Sequence, residues 1–197
     1  ADLQILRYNV PGFEKLSLKQ KELVYYLTQA ALQGRDILFD QNGKYNLTIR
    51  KTLEAIYVNY KGDKSDKNFK NMEVYLKRVW FSNVIHHHYG SEKFSPEFSE
   101  DFLKKEVLSL EPDKLPLAIG QTAEDLFAML RPIIFDPNVM SKRVNQSDGE
   151  DLILTSACNY YEGVTQTEAE EFYAKMKDPK DEYPVAYGLN SRLVKNN

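Results

Sequence analysis

The fold is decided by one stretch of sequence, Asn68–Asn83, which reads NFKNMEVYLKRVWFSN. Its apolar residues recur every three or four positions, the spacing that brings side chains onto one face of an α-helix: Met72, Tyr75, Leu76, Val79 and Trp80. The stretch therefore predicts an amphipathic helix that packs one face against a core.

Two more helices are predicted before this stretch. The first begins at Ser17, where Gln20 three residues later completes a capping-box pattern, and a turn signal at 40–43 ends it. Its apolar positions follow helical spacing: Leu23, Tyr26, Leu27, Ala30, Ala31 and Gly34. The second stops near residues 60–62 and carries one apolar face: Leu47, Leu53, Ile56 and Tyr57. Together the three predict a helical hairpin and a partner helix.

Shorter elements are predicted after position 83. Residues 86–94 break the helical period, so we predict a loop there. Two short helices follow over 99–110 and 122–135, with Ser99 and Thr122 as plausible caps.

The last quarter of the chain is predicted to be less regular. The segment 136–149 is polar and rich in turn residues, and 152–155 (LILT) predicts a short buried strand. Thr165 is expected to cap a last helix that runs to about Met176, and the tail from Tyr183 is expected to be extended.

These elements define the predicted fold class, which is mainly α with a few short β-strands (α+β). Residues 1–150 are predicted to form a helical N-terminal domain. Residues 151–197 are predicted to hold a short strand, a helix and an extended tail that leads into further sequence.

Composition narrows the classes of partner. The formal net charge of −3 and the pI near 5.7 argue against a nucleic-acid-binding protein, which normally carries a basic face. No apolar run approaches the roughly 20 residues of a membrane span. The 13 tyrosines predict a core rim or groove in which the rings are buried and the hydroxyls are wet.

The compartment stays open between cytoplasm and periplasm. The single cysteine, Cys158, excludes an intrachain disulfide and a cysteine zinc site, and we predict that it is a small core residue. The chain starts at Ala1 rather than Met, which predicts that a signal peptide or a longer N-terminal part has been removed.

The three consecutive histidines are the obvious candidate for metal binding. Side chains at neighbouring positions point apart in helices and strands, so the three cannot bind one ion without unusual backbone. His86 and His88 could converge only from an extended loop, and Glu92 alone does not complete a ligand set. We therefore predict no metal ligand here and expect a loop packed on helices through Tyr89 and Phe94.

No catalytic centre is recognisable in the chain. The glycine-rich phosphate-binding patterns and the G-x-S-x-G nucleophile motif are absent from the sequence. The adjacent Arg35 and Asp36 point apart on a helix, so an ion pair to another helix is the favoured interpretation.

Several stretches nevertheless resemble one known family along the whole chain. They include LKQKELVYYL at 18–27, GRDILFDQNG at 34–43, HHHYGSEKF at 86–94, YYEGVT at 160–165 and YGLNSRL at 187–193. In this order they look like the N-terminal portion of a bacterial dipeptidyl-peptidase III.

The resemblance implies a part of a two-lobed zinc metallopeptidase that removes dipeptides from the N-termini of short peptides. In that family the zinc is held in the other, mostly helical lobe by an H-E-x-x-G-H motif and a later glutamate, and metal-bound water is the attacking group. This chain contains no H-E-x-x-G-H. The full-length parent is therefore expected to use zinc, whereas this chain alone is expected to bind none and to be inactive.

The resemblance also implies a substrate-facing loop. In the family, the loop aligned with His88, Tyr89 and Gly90 lies on the cleft wall and touches the bound peptide, and these three are the candidate substrate-binding residues. His88 stands where the family often has a small hydroxyl residue. The expected partners are short peptides and the missing zinc-bearing lobe. The alternative hypothesis is a non-catalytic helical interaction module with a tyrosine-rich groove.

Overall fold

A computed structural model describes Gln4 and residues 6–183 and 191–195. These residues form a mainly helical structure with seven α-helices: α1 (Leu18–Gln33), α2 (Arg35–Asn42), α3 (Asn46–Asn59), α4 (Lys67–Ser82), α5 (Glu100–Ser109), α6 (Ala123–Phe135) and α7 (Gln166–Met176). Short 3-10 helices occur at Phe13–Lys15 and Pro112–Lys114. Among the described helices, none combines the length and apolar character that crossing a bilayer requires.

Helix α4 lies at the centre of the core, as its sequence pattern predicts. Met72, Leu76 and Val79 are fully buried against α3, whose Leu53 and Ile56 face them from the same cluster. Helices α5 and α6 pack on each other and complete this cluster with the following buried residues: Phe102, Leu103, Val107, Leu126, Leu130, Ile133 and Ile134. The described core is therefore built mainly from α3 to α6, and Phe39 of α2 also belongs to it.

Local capping explains where most helices begin. Ser17, Ser99, Thr122 and Thr165 cap α1, α5, α6 and α7, as predicted from the sequence, and three of these caps form complete capping boxes. Asp66 caps α4 by accepting the Phe69 N–H at 3.1 Å. The helix starts are thus determined by residues next to them in sequence.

The first predicted helix is instead two helices, α1 and α2, which meet at Gly34. The Gly34 N–H bonds to the Ala31 carbonyl three residues earlier at 3.2 Å, so the α-helical ladder ends there. The helical spacing in α1 is confirmed, but its side chains are exposed along the whole helix except at the half-buried Lys21. Its apolar positions therefore do not join the core.

The ion pair expected near Gly34 is confirmed. Asp36 on α2 lies 2.9 Å from the Arg50 guanidinium and 3.6 Å from the Lys51 ammonium, both on α3. This pair connects the second helix to the third across the short loop between them.

The predicted strand at 152–155 is wrong, because these residues form a turn and Leu154 is exposed. The Asp151 carboxylate accepts the N–H groups of Ile153 and Leu154, both at 2.9 Å. A side chain that satisfies successive backbone N–H groups competes with strand pairing.

The short strands lie elsewhere. Tyr161–Glu162 (β1) pairs in parallel with Leu193–Val194 (β2), and the Glu162 carboxylate accepts from Arg192 at 2.7 Å and from Lys44 at 2.8 Å. Part of the tail that was predicted to be extended, 184–190, lies outside the described residues.

The buried face of α3 gives the first prediction. Leu53→Ala should lower the free energy of unfolding by about 2–5 kcal/mol, since it removes a fully buried side chain and leaves a cavity. Val58→Ala on the same helix, where the side chain is 76% exposed, should change it by no more than about 1 kcal/mol. Urea unfolding of both variants measures the difference, and equal effects would contradict the described packing.

Candidate functional site

The predicted loop at 86–94 begins at the end of α4 and is fixed by a buried run. Asn83 ends the helix in the left-handed conformation, with φ of 54°. Val84, Ile85 and His86 follow, and each of them is fully buried. The Phe94 N–H returns to the Ile85 carbonyl at 2.9 Å, so the chain reverses between these points, and residues 88–90 form a turn whose tip, Tyr89 and Gly90, is exposed.

The buried His86 side chain fixes the start of this turn. Its Nε2 lies 2.6 Å from the Met140 carbonyl oxygen, and a carbonyl can only accept, so Nε2 carries the proton. Burial lowers the pKa of His86 to about 4, and the positive charges of Lys93 and Arg143 act in the same direction. The ring is therefore neutral at physiological pH and serves as a fixed hydrogen-bond donor.

His87 shapes the turn itself. Its backbone N–H donates to the Glu92 carbonyl at 2.7 Å, and its carbonyl accepts the Ser91 N–H at 3.0 Å. The ring Nδ1 faces the N–H groups of Gly90 and Tyr89 at 3.0 and 3.3 Å. The imidazole thus accepts hydrogen bonds from two backbone N–H groups at the tip and orders the residues that follow it.

The three candidate substrate-binding residues lie at or beside the tip. His88 is half-buried, with its ring edge-on to Phe81 at a centroid distance of 4.8 Å. The Tyr89 ring lies 4.2 Å from the His88 ring and is 85% exposed, so the prediction that the loop packs on helices through Tyr89 is wrong, whereas Phe94 does pack against the core. The structure therefore brings an imidazole and a solvent-exposed phenol side by side.

Gly90 is exposed and lies under a carboxylate. A Cβ at this position would come within 2.1 Å of Glu92 Oε2, so the glycine leaves room for the Glu92 side chain to fold over the turn. That carboxylate is the end of a flexible chain and can move aside. The space beside Gly90 is thus filled by a movable acidic group of the same loop.

Two basic residues, which the sequence reasoning missed, hold the turn to the rest of the fold. Arg143 donates its backbone N–H to the Ser91 carbonyl at 2.9 Å and its guanidinium Nη2 to the His88 carbonyl at 3.3 Å. The contact joins residues 55 positions apart, which no local sequence pattern could have revealed.

Lys93 is the second of these residues. Its ammonium donates to three backbone carbonyls at the C-terminal end of α6 and just beyond: Ile133 at 3.0 Å, Val139 at 2.6 Å and Asp136. A cation at a helix C-terminus also complements the helix dipole. Burial lowers the pKa of the Lys93 ammonium, while the Asp136 carboxylate opposes that change. Lys93 thereby attaches the base of the turn to α6.

A groove of about 500 Å³ starts beside this turn at Glu92. Apolar side chains line it between the loop and the end of α6: Phe94, Pro96, Phe135 and Pro137. Glu100 also lines the groove, but it already pairs with Arg131 at 2.7 Å. The turn and the groove form one continuous surface of aromatic, proline and carboxylate groups.

Within the described residues, no cluster of three or more histidine, cysteine or carboxylate side chains could hold a metal ion. The Nε2 atom of His86 is already engaged by a backbone carbonyl. Cys158 is half-buried, and burial raises the pKa of its thiol, which is the reverse of an activated nucleophile.

The tyrosines of the described residues do not line one groove, since Tyr75 is fully buried in the core and others lie at its edge or in solvent. Tyr57 and Tyr60 pack beside Phe69 at the edge of the core, with the Tyr60 and Phe69 rings stacked 4.2 Å apart. The exposed tyrosines are spread over four segments, with two of them adjacent on α1: Tyr8, Tyr25, Tyr26, Tyr89 and Tyr183. Tyr57 and Tyr60 match the predicted core rim.

No protein-family model matches this chain, and no curated protein is similar enough to it in sequence to count as a match. The resemblance to dipeptidyl-peptidase III therefore stays a prediction from the residues themselves.

The buried imidazole predicts a specific pH dependence. Because the pKa of His86 falls from its ordinary 6.5 to about 4 on folding, the unfolded chain takes up a proton that the folded chain refuses between these values. The contribution of the neutral His86 ring to the free energy of unfolding is fully present above pH 6.5. It should fall by up to about 3 kcal/mol as the pH drops to 4. The measurement is urea unfolding from pH 7.5 to 4.

His86→Gln is the control for this titration, since the amide can still donate to the Met140 carbonyl but does not titrate. The loss of stability between pH 6.5 and 4 should then shrink by about one proton's contribution. An identical pH profile in the variant and the wild type would contradict the role of His86.

The Lys93 contacts give a second prediction for this site. Lys93→Met keeps the aliphatic length but leaves three carbonyls without their donor, which should cost about 1–3 kcal/mol of stability. Hydrogen exchange of the Tyr89 and Gly90 amides should also become faster. Lys61→Met, at an exposed side chain, should change neither quantity, and unchanged exchange in Lys93→Met would contradict the attachment.

Proposed function

We propose that this chain forms part of the peptide-binding cleft wall of a dipeptidyl-peptidase III-like zinc exopeptidase. In this proposal, the turn His88-Tyr89-Gly90 faces the N-terminal part of a bound peptide. The proposal includes the two-lobed architecture of the parent and places the zinc centre in the other lobe.

The observation that supports the proposal is an exposed turn on a fixed base, formed by the residues that the sequence resemblance assigns to the substrate-facing loop. The base is held by the His86 contact to Met140 and by Lys93 and Arg143, whereas Tyr89 at the tip projects into solvent. A preorganised turn of this kind loses less conformational entropy when a ligand binds.

The chemistry available to these residues is binding rather than bond cleavage. The Tyr89 ring offers a flat apolar surface and a hydroxyl, and the Glu92 carboxylate beside Gly90 attracts a cationic group. Zinc held elsewhere in the parent would supply the activated water for hydrolysis. The residues of this chain would position the peptide and line the cleft.

The alternative is a non-catalytic helical interaction module. Its support is the number of large apolar side chains exposed on α1 and α2, among them Tyr25 and Tyr26. The two functions differ in one property, because only the exopeptidase requires zinc-dependent release of dipeptides by the parent.

The test compares the full-length parent with this chain for bound zinc and for cleavage of a dipeptidyl chromogenic substrate, each with and without a chelator. The parent should hold zinc and lose activity with the chelator, and this chain should show neither property. A correctly folded parent with no activity, or with activity that chelation leaves unchanged, would contradict the proposal.

Tyr89→Ala tests the recognition turn in the parent. The KM should rise about five- to tenfold, equivalent to about 1–1.4 kcal/mol of binding, with kcat within about twofold and zinc content unchanged. Tyr8→Ala is the matched control, because Tyr8 is similarly exposed, at 81%, on a different segment. Equal kinetics for the two variants would remove Tyr89 from the substrate site.

A further inference from the structure

His87 takes part in four hydrogen bonds of the turn that follows it. Two of them use its backbone, which bonds to Glu92 at 2.7 Å and to Ser91 at 3.0 Å. The other two use its ring, whose Nδ1 lies 3.0 Å from the Gly90 nitrogen and 3.3 Å from the Tyr89 nitrogen. The imidazole therefore contacts the two backbone N–H groups of the exposed tip.

These two ring contacts determine which ring nitrogen carries the proton. A backbone N–H group can only donate, so Nδ1 must accept with its lone pair. In this arrangement the His87 ring is uncharged and its proton lies on Nε2. The order of the tip thus depends on one particular protonation state of an exposed imidazole.

A second proton on the ring would remove this acceptor. A charged imidazole carries an N–H on both nitrogens, so Nδ1 would then direct a donor at the donors of Tyr89 and Gly90. Because the tip is exposed, water can accept from the two freed N–H groups, and the turn can open without leaving them unpaired. Histidine is the side chain that ordinarily gains this proton between pH 5 and 8.

The residues beside the tip are held by contacts that do not titrate. Ser91 lies in the left-handed region, with φ of 65°, which is uncommon for a residue with a Cβ. Its N–H donates to the His87 carbonyl, and its carbonyl accepts the Arg143 N–H at 2.9 Å. Protonation of the His87 ring should therefore loosen the tip and leave Ser91 in place.

Other titratable and charged groups near the His87 ring come from the same loop and from the segment after α6: His86, His88, Tyr89, Glu92, Lys93 and Arg143. Lys142 pairs with Glu92 through the backbone, but its ammonium donates to Ser147 at 3.3 Å.

Among these groups, the other two histidines of the chain are the ones that the experiment must separate from His87. His86 is fully buried and has a pKa of about 4, so it titrates in a lower range. His88 stacks on the His87 ring at a centroid distance of 4.6 Å, so a variant of His87 alone must tell the two apart.

We propose that His87 is the positioning residue of this turn, whose unprotonated Nδ1 holds Tyr89 and Gly90 in place and whose protonation releases them. The turn is then a proton-sensitive recognition element, ordered while the ring is neutral and mobile once it is charged. His87 acts through the tip and needs no contact of its own with a ligand.

The consequence for peptide binding rests on the proposed function. In the parent, the turn at 88–90 would meet the substrate, and an ordered tip loses less conformational entropy on binding. Substrate binding should therefore weaken as the pH falls, whereas the order of the tip can be measured without any substrate. The two consequences are tested separately.

Backbone ¹⁵N relaxation of the full chain between pH 8 and 5 tests the positioning role. The order parameters of the Tyr89 and Gly90 amides should fall from about 0.85 to below about 0.6 as the pH is lowered. The change should follow the ring resonances of His87, and the Ser91 amide should stay ordered. Constant order parameters at the tip, or ring ¹⁵N shifts that place the proton on Nδ1 at pH 8, would overturn the proposal.

Two variants at the same position supply the matched controls. His87→Asn offers an amide oxygen that can accept from N–H groups two and three residues on and does not titrate, so its tip should be ordered at both pH 8 and pH 5. His87→Leu has no acceptor and should be mobile at the tip at both values. Both variants lose the stack on His88, so only the acceptor distinguishes them.

The variants also name the outcomes against the proposal. If His87→Asn keeps the pH dependence of the wild type, another group such as His88 is responsible. If His87→Leu keeps an ordered tip, the ring contacts do not position it. Either result would overturn the role of His87.

Kinetics of the parent test the consequence for binding. The KM of the wild type for a dipeptidyl chromogenic substrate, divided by that of His87→Asn at the same pH, should rise about fivefold from pH 8 to 5. The ratio of the kcat values should stay within about twofold, since the turn acts in binding. A constant KM ratio beside the expected change in tip order would contradict the proposed peptide-binding function and leave the positioning role supported.

Discussion

The hydrogen bond from the buried His86 ring to the Met140 carbonyl connects two parts of the chain that are far apart in sequence. It joins the apolar run that leaves α4 to the segment that follows α6. The bond requires a proton on Nε2, and burial keeps the ring uncharged. The chain therefore enters the exposed turn from a fixed point.

The contacts of the residues around this hydrogen bond give the turn a fixed base and an exposed tip. Lys93 joins the base to α6, and Arg143 holds the backbone at Ser91 and His88. At the tip, Tyr89 has no comparable restraint on its side chain and meets solvent. Sites built for recognition commonly combine such a fixed support with exposed contacting groups.

Sequence analysis predicted the helices and caps that depend on neighbouring residues, and it missed the contacts between residues far apart in the chain. Helices α4 and α6 follow from apolar periodicity and, for α6, from the Thr122 cap, because both signals act within one or two turns. The loop after α4 was predicted because the period stops. The supports from Lys93 and Arg143 come from residues 40 to 55 positions away in sequence from their partners, and the turn at 152–155 reflects an Asp151 carboxylate that outcompetes a strand.

Helix α1 shows the limit of apolar periodicity as a signal: the pattern reports that a face is apolar but not which molecule covers it. A helix of 16 residues is marginal in water by itself, since nucleation is costly and most helical stability comes from packing. The capping box at Ser17 contributes only at one end. A covering surface would therefore stabilise the helix as well as bury its apolar side chains, so that association and helix formation become coupled.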